Sequence, residues 1–282
     1  MINFDKMMVA WGAHKKRLSK EYSNVFYLED RYSHAKCHNE IIKADKIMIL
    51  GGTMDAFRTA SSVRSYLDSI NYQKTEVILM FEGSSEIRKN MGKQVSDAIT
   101  KMMRDQNITV IDESKISHIV GDYKLEKVHF KRGMSDAEYA EKIWTEQGAT
   151  DYFVRPDVVI VENGVGAPKQ DLASLIGNED EGTLNNLTFT NSKMPISNVR
   201  FSLYQNDIMS PILAAGSCTH YPSFMHKVKV RTDDIKYNIE AGFYAAMNML
   251  DKQVEFRYLP MTPLTIGDKK LYFVGERDQP IT

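Results

Sequence analysis

The sequence predicts an α/β fold, and three observations lead to that prediction. Residues 46–67 read as a strand, a glycine turn and a helix in direct succession. Further apolar runs of strand length recur at residues 77–81, 108–111 and 157–161. Residues 93–105, between two of these runs, place their apolar side chains on one helical face. Strands that alternate with helices in this way are typical of βαβ units around a parallel sheet.

The first strand and helix meet at a pair of glycines. The apolar run 47–50 is followed at once by Gly51 and Gly52, and then by a helical pattern. This order opens a dinucleotide-binding βαβ unit, whose loop reads G-x-G-x-x-G. Here the three glycine positions hold Gly51, Thr53 and Ala56. Because the second glycine lets the backbone approach the pyrophosphate, the β-branched Thr53 predicts a nucleotide contact that is weakened or lost.

Composition excludes several classes of function. The chain has 282 residues and a net charge of −1, so neither a nucleic acid nor an anionic membrane surface is predicted as a partner. No apolar run approaches the roughly 18 residues that a membrane-spanning helix needs. The two cysteines, Cys37 and Cys218, lie far apart and predict no disulfide framework. The N-terminus carries an early acid, Asp5, and does not read as a signal or transit peptide.

Two groups of polar residues are candidates for binding, and each has a simpler interpretation. Glu82 lies at the end of the strand at 77–81, where a dinucleotide fold places the acid that binds the ribose hydroxyls. A solvated charge at a strand end is the preferred interpretation. His34, Cys37 and His38 are close in sequence, but a metal site needs further ligands nearby. They are interpreted as surface polar residues, and no metal site is predicted.

A third group, at Ser217-Cys218-Thr219-His220, brings a thiol near an imidazole in the sequence. Neighbouring residues of an extended strand point to opposite faces, so this proximity does not make a catalytic pair. Cys218 is therefore interpreted as a packing residue, and no catalytic residue is predicted anywhere in the chain.

The remaining elements follow from periodicity and turn residues. Helices are predicted at residues 31–43, 93–105, 135–147 and 235–250. Strands are predicted at residues 6–12, 24–28, 209–216 and 259–275, and an acidic, turn-rich stretch at 180–190. Residues 115–131 are predicted to form antiparallel strands that turn at Gly121 and Asp122.

In this order the segments resemble the C-terminal part of apoptosis-inducing-factor-like proteins, within the FAD-dependent pyridine nucleotide–disulfide oxidoreductases. The most specific match is residues 76–93, EVILMFEGSSEIRKNMGK, which join a strand, an acidic loop and Asn-Met-Gly-Lys. Weaker matches occur at residues 8–12, 24–28, 49–57, 163–168, 214–217 and 242–249. The resemblance covers nearly the whole chain.

The resemblance implies a Rossmann-like NAD-type domain inserted in a partial FAD-type domain, with a small α+β C-terminal domain. The implied ranges are 1–43 for a remnant of the FAD-type domain, 44–150 for the NAD-type domain, 151–215 for the return segment of the FAD-type domain and 216–282 for a dimerisation-like domain. The family's first flavin segment is expected to be missing. The face that it would cover is expected at residues 8–10, 157–161 and 212–214.

The resemblance also assigns cofactor loops, which are expected to be vestigial. The NAD loop corresponds to Gly51, Gly52 and Thr53, with Glu82 as the ribose acid. The flavin loop corresponds to residues 214–217, and its last two residues are Gly216 and Ser217.

Several positions have changed type relative to the family. Ser217 stands where the family has an aspartate that bonds FAD, and Arg58 stands where a glutamate follows the third NAD glycine. Asp233, Asp234 and Ile235 stand where the family has a Glu-His-His stretch beside the isoalloxazine. Because the flavin carries the hydride chemistry, these changes make redox catalysis by this chain alone improbable, and no cofactor is expected.

Two main functions are weighed from these observations. The preferred one is a catalytically degenerate protein that serves as a structural or accessory subunit of a larger mitochondrial, respiratory-chain type membrane complex. Other protein subunits would cover the partial FAD-type domain, and family analogy implies a location peripheral to the inner mitochondrial membrane. The alternative is a split NADH-dependent flavin oxidoreductase whose FAD-binding half comes from another chain; NAD or FAD is expected in that case alone. A nucleotide-sensing module without redox activity is a third alternative.

Overall fold

The structure is a computed structural model that describes residues 4–82, 85–131, 141–144, 150–166, 195–203, 211–225 and 228–275. The strands are β1 (Met7–Val9), β2 (Val25–Phe26), β3 (Lys46–Leu50), β4 (Glu76–Glu82), β5 (Ile108–Gly121), β6 (Leu125–Lys131), β7 (Glu141–Trp144), β8 (Thr150–Val154), β9 (Val158–Val161), β10 (Ile212–Ala214), β11 (Tyr221–Pro222), β12 (Lys229–Val230), β13 (Met261–Ile266) and β14 (Lys269–Val274). The helices are α1 (Arg31–Ile41), α2 (Met54–Ser69), α3 (Glu86–Met91), α4 (Lys93–Asp105) and α5 (Ile235–Met249).

The chain divides into two compact units. Unit one consists of Met1–His14, Val165–Thr262 and Tyr272–Thr282, and unit two consists of Lys15–Gly164 and Pro263–Leu271. Unit two extends beyond the NAD-type range of 44–150 that the resemblance implies. It includes β2 and β9, which pair in the same sheet as β3.

Unit two is built on a mixed sheet whose strand order is β2-β9-β3-β4-β5-β6-β8-β7. The half from β2 to β5 is parallel, and the half from β5 to β7 is antiparallel. The strands β3, β4 and β9 are apolar over nearly their whole length and almost completely buried. Continuous apolar runs are what a parallel sheet covered on both faces requires. The apolar runs of the sequence therefore predict the central strands correctly.

Two assignments correct the sequence-based predictions. Residues 108–111 and 115–121 belong to one strand, β5, which leaves its parallel partner β4 and continues as the antiparallel partner of β6. The helix predicted at 135–147 is wrong at 141–144, because these residues form β7 and pair antiparallel with β8. Pairing with an existing sheet edge overrides local helical preference there. The other residues of that predicted helix, and the predicted stretch 180–190, lie outside the described residues.

The expected face formed by residues 8–10, 157–161 and 212–214 draws on strands of two different sheets. The strand β9 lies between β2 and β3 in unit two, whereas β1 pairs in parallel with β10 in unit one. All of the β9 residues are buried, and a strand that is apolar on both faces suits the interior of a parallel sheet. The three segments therefore belong to two different sheets.

Unit one contains the parallel pair of β1 and β10, together with α5. The inner face of α5 packs into a buried, largely aromatic cluster. Its members include Phe201, Tyr221, Tyr237, Ala241, Ala245, Phe256 and Tyr258. The helix predicted at 235–250 is confirmed as α5. Of the small residues predicted to allow close packing, Ala241, Ala245 and Ala246, the first two are fully buried, whereas Ala246 is exposed. In the part of the chain that the structure describes, no helix combines the length and apolarity needed to cross a membrane.

Candidate functional site

The carboxyl ends of β3, β4 and β9 converge at the glycine turn before α2, where α/β sheets bind their ligands. Gly51 follows β3 with a φ of +145°, and its amide donates to the Met80 carbonyl at 2.8 Å. An added Cβ at Gly51 would lie 2.2 Å from the carbonyl oxygen of Glu162, which follows β9. Glycine is therefore required here for the close approach of two backbones.

The hydroxyl and the methyl group of Thr53 both contact the chain around the glycine turn. Its hydroxyl donates to the Glu162 carbonyl at 2.7 Å and accepts the Ala56 amide at 3.3 Å, which caps α2. Its methyl group lies 3.5 Å from where a Cβ of Gly164 would stand. A glycine at the second loop position, which lets the backbone approach a pyrophosphate, would lack this side chain.

Glu86, the first residue of α3, lies against the same turn. Its carboxylate oxygen Oε2 accepts the Met54 amide, at the first position of α2, at 2.9 Å. Its own amide donates to the Gly52 carbonyl at 2.7 Å. An added Cβ at Gly52 would lie 3.2 Å from Ser85 Cα, so this approach is also tight. The start of α2 therefore carries a carboxylate of the chain itself.

Glu162 and Lys15 form an ion pair at the end of β9. The Glu162 and Lys15 side chains are 3% and 15% exposed, and the Lys15 ammonium donates to the Glu162 carboxylate. Burial raises the pKa of the Glu162 carboxyl, and this outweighs the lowering by Lys15 and by the Thr59 hydroxyl. The pair places a second carboxylate of the chain, compensated by the Lys15 ammonium, at this end of the sheet.

Glu82, the residue predicted as the ribose acid, is hydrogen-bonded within the sheet. It lies exposed at the end of β4, and its Oε1 accepts the Ile116 amide at 2.7 Å, where the pairing of β4 with β5 shifts register. The carboxylate thus stabilises the sheet at an irregularity. Arg58, which departs from the family's glutamate, donates to the Pro263 carbonyl and pairs with Asp55 at 2.6 Å. It attaches the hairpin of β13 and β14 to α2.

The flavin-type loop lies in unit one. Gly216 has a φ of +85° and its carbonyl accepts the Thr219 amide, which forms a turn. The Arg231 guanidinium donates to the Ser217 carbonyl at 2.7 Å. Beside Gly216 lies Asn238, whose Oδ1 is buried and has no hydrogen-bond partner among the described residues. This loop therefore offers neutral hydroxyl and amide groups where the family has a carboxylate.

Asp234 is another of the positions that have changed type relative to the family. Its Oδ1 accepts the Tyr237 amide at 3.1 Å and so caps α5, and it also accepts the Tyr258 hydroxyl at 3.3 Å. These two hydrogen bonds hold the Asp234 carboxylate at the N-terminus of α5.

The remaining polar candidates have structural roles. Cys218 is fully buried, and its thiol donates to the carbonyls of Val9 and Ala215. Burial raises its pKa, which confirms the interpretation of Cys218 as a packing residue. The pKa of His220 is lowered to about 4 by burial and by two neighbouring cations, Arg231 and Lys229, so this imidazole stays neutral.

The group on α1 is partly misread from the sequence. His34 and His38 are exposed as predicted, but Cys37 is buried on the inner face of α1, where burial raises its pKa to about 12. Among the described residues, no cluster of histidine, cysteine and acidic side chains is suited to a metal ion.

These contacts test whether a dinucleotide fits the turn. A pyrophosphate at the start of a βαβ helix binds backbone N–H groups that have no partner in the protein. Here the Met54 amide is bound by Glu86, and the Ala56 amide by Thr53. The residues present therefore do not fit a pyrophosphate, because they already satisfy donors that it would use.

Sequence reasoning missed Glu86, Lys15 and Glu162. Each acts through a contact with a residue distant along the chain: Glu86 with Met54, and Lys15 with Glu162. The one available signal was the acidic loop in residues 76–93, between the strand and Asn-Met-Gly-Lys. In this loop Ser85 caps a helix whose first residue is the acid Glu86.

Comparison with known proteins supports the fold. The chain matches the family model for pyridine nucleotide-disulphide oxidoreductases over residues 1–226. A comparison with curated protein sequences gives no match. Members of the family include FAD-dependent and NAD-dependent enzymes.

Solved structures give the same result. The NAD-dependent persulfide reductase from A. fulgidus is 14% identical with a TM-score of 0.72, and the match covers 98% of this chain and 45% of that one. Putidaredoxin reductase, in its covalent complex with putidaredoxin, is 16% identical with a TM-score of 0.73, over 97% and 58% of the two chains. An FAD-dependent pyridine nucleotide-disulphide oxidoreductase from Desulfovibrio vulgaris is 16% identical with a TM-score of 0.71, over 97% and 61%.

The chain thus spans 45% to 61% of the lengths of these structures, and at such identities the similarity shows the fold. The predicted fold class, α/β with a Rossmann-like domain and a small C-terminal part, is confirmed. The sheet order, the glycine turn after β3 and the family match over residues 1–226 lead to one conclusion: the chain belongs to the pyridine nucleotide-disulphide oxidoreductase family.

Proposed function

We propose that this chain is a family member without dinucleotide chemistry of its own that serves as a structural subunit of a larger protein assembly. On its resemblance to apoptosis-inducing-factor-like proteins, the proposal extends to a mitochondrial, respiratory-chain type assembly peripheral to the inner membrane. The proposal rests on a surface in unit one and is supported by the misfit at the glycine turn in unit two.

The observation that carries the proposal is that α5 is apolar on two opposite faces. Its inner face packs into the aromatic cluster, and its outer face remains exposed. On the outer face, Ile235, Ile239, Phe243 and Leu250 are 77%, 68%, 63% and 69% exposed. These positions, with Gly242 and Ala246, repeat at helical spacing and form one stripe. The inner face is already buried within unit one, and an exposed apolar stripe of this length is typical of a contact surface, so we infer that the outer stripe is a docking surface for another protein.

The glycine turn supports the non-catalytic part of the proposal. Thr53 places a β-branched side chain at the second glycine position and bonds Glu162, and Glu86 accepts the Met54 amide. The family's redox chemistry needs a bound nucleotide, which the protein's own side chains cannot replace.

The test is to purify the chain with its native partners, record the flavin absorbance and titrate with NADH. We expect no flavin in stoichiometric amount and no absorbance change on adding NADH. A yellow cofactor that NADH bleaches would overturn the proposal. The measurement is made on the intact complex, so that a cofactor held jointly by two chains is not lost.

A second prediction concerns the outer stripe of α5. Ile239→Glu places a charge in the centre of the stripe, and we expect at least about a tenfold loss of co-purifying partners, because a charge cannot be desolvated in an apolar contact. The matched control is Tyr32→Glu on α1, an equally exposed apolar residue outside the stripe. Equal retention of partners by both variants would contradict the docking role.

A second candidate function is the split flavoprotein, in which another chain supplies the rest of the FAD site. The observation that favours it is the buried Oδ1 of Asn238 beside Gly216, which has no partner among the described residues. Such an atom is costly unless something bonds it. The flavin absorbance of the native complex distinguishes this candidate from the structural subunit.

A further inference from the structure

We propose that α3 carries a built-in anion: the Glu86 carboxylate takes the place of a dinucleotide pyrophosphate at the start of α2 and closes this turn to phosphate ligands. The inference concerns unit two alone and does not depend on the docking role of α5. It rests on three features of the described residues.

The first feature is the electrostatics of the helix start. The N-terminus of an α-helix presents amide groups without intrahelical partners and the positive end of the helix dipole, and both favour an anion. α2 is sixteen residues long, and its first amide, Met54, donates to Glu86 Oε2 at 2.9 Å. The Met54 amide, which a phosphate could otherwise bind, is therefore already bound by a carboxylate of the same chain.

The second feature is that Glu86 is held at two points. Its side chain accepts the Met54 amide, while its backbone amide donates to the Gly52 carbonyl at 2.7 Å. Ser85 caps α3 by accepting the Arg88 amide at 3.2 Å, which orients the first turn of α3. The carboxylate is therefore positioned by the backbone of the glycine turn itself and not by chance contact of a long side chain.

The third feature is that Glu86 and Thr53 act by different means. Thr53 fills space and bonds the Glu162 carbonyl, whereas Glu86 occupies a donor and places a negative charge where a second anion would bind. Removing Thr53 alone leaves the charge in place. The site should open when both are replaced.

The experiment uses inorganic pyrophosphate and ADP-ribose as probes, with chloride at equal ionic strength as the reference. The readouts are the NMR shift of the Met54 amide and the thermal unfolding temperature. Wild type and Thr53→Gly should show no response, and Thr53→Gly/Glu86→Ala should show saturable shifts. Thr53→Gly/Glu82→Ala is the matched control, because Glu82 is an acid four residues away that bonds Ile116 instead, and it should remain closed.

Pyrophosphate binding by wild type or by Thr53→Gly at the Met54 amide would overturn the proposal. So would a folded Thr53→Gly/Glu86→Ala variant that gives no response. A second measurement covers the case in which that variant does not fold. In Glu86→Gln, the Met54 amide should exchange its hydrogen about tenfold faster, because the neutral amide oxygen is a weaker acceptor. Glu82→Gln should leave this rate unchanged, and an unchanged rate in Glu86→Gln would refute the inference.

Discussion

Gly51→Ala is expected to lower the free energy of unfolding by roughly 3–5 kcal/mol, a large effect for a single methyl group. The added Cβ would lie 2.2 Å from the carbonyl oxygen of Glu162 and 2.5 Å from its carbonyl carbon. Both are backbone atoms at the end of β9, so no side chain can rotate away. The φ of +145° adds strain for any residue with a Cβ. Denaturant unfolding followed by circular dichroism measures the change.

The matched control for this substitution is Gly242→Ala on α5. An added Cβ there has nothing within 4 Å, and the residue lies on an exposed helical face. Alanine should therefore stabilise the isolated chain by up to about 1 kcal/mol through higher helix propensity. A loss of less than about 1 kcal/mol in Gly51→Ala would contradict the close approach of β3 and β9.

Lys15→Met is the second large prediction, with an expected loss of roughly 2–4 kcal/mol near neutral pH. The substitution removes the ammonium that pairs with Glu162, whose side chain is 3% exposed. A buried carboxylate without its partner keeps its desolvation cost and loses the compensating attraction. The free energy of unfolding from denaturant titration measures the loss.

The pH dependence of this loss has a definite sign. In the folded chain the pKa of Glu162 is already raised above its ordinary value of 4.5, and Lys15→Met should raise it further because a lowering contribution is gone. A carboxyl group whose pKa is raised in the folded state stabilises the fold at pH values below its ordinary pKa. This stabilisation is lost as the pH rises through the pKa of the folded state. The difference between wild type and Lys15→Met should therefore widen as the pH rises from about 4 to 8.

The control for the buried pair is the double variant Lys15→Met/Glu162→Gln. It contains no carboxylate at this position, so its stability should regain part of the loss and its difference from wild type should vary less with pH. A loss in Lys15→Met that is the same at pH 5 and pH 8 would show that Glu162 does not titrate in this environment.

Local patterns were enough to predict much of the fold. The apolar runs 47–50 and 77–81 lie within β3 and β4, and the glycine pair with a helical pattern behind it predicts the turn before α2. These features depend on residues that are close in sequence, and their period differs between strand and helix. The same reasoning missed β7, because its extended conformation is set by pairing with β8 rather than by its own preference.

The candidate site was predicted less completely, for a related reason. The change at Thr53 is visible because it falls inside a known spacing. The anion that replaces the phosphate comes from Glu86, and the pair of Lys15 with Glu162 joins residues 147 positions apart. Glu82 had the expected place in the motif but bonds Ile116 across the sheet. Motif spacing thus indicates where a site lies, whereas three-dimensional contacts decide which residues occupy it.

The continuity of β5 has a mechanical consequence for unit two. One uninterrupted strand contributes hydrogen bonds to β4 on one length and to β6 on another, so it belongs to both halves of the sheet. Local unfolding of β5 that begins in the antiparallel half therefore continues along the same strand into the parallel half. The two halves are therefore expected to unfold as one cooperative element.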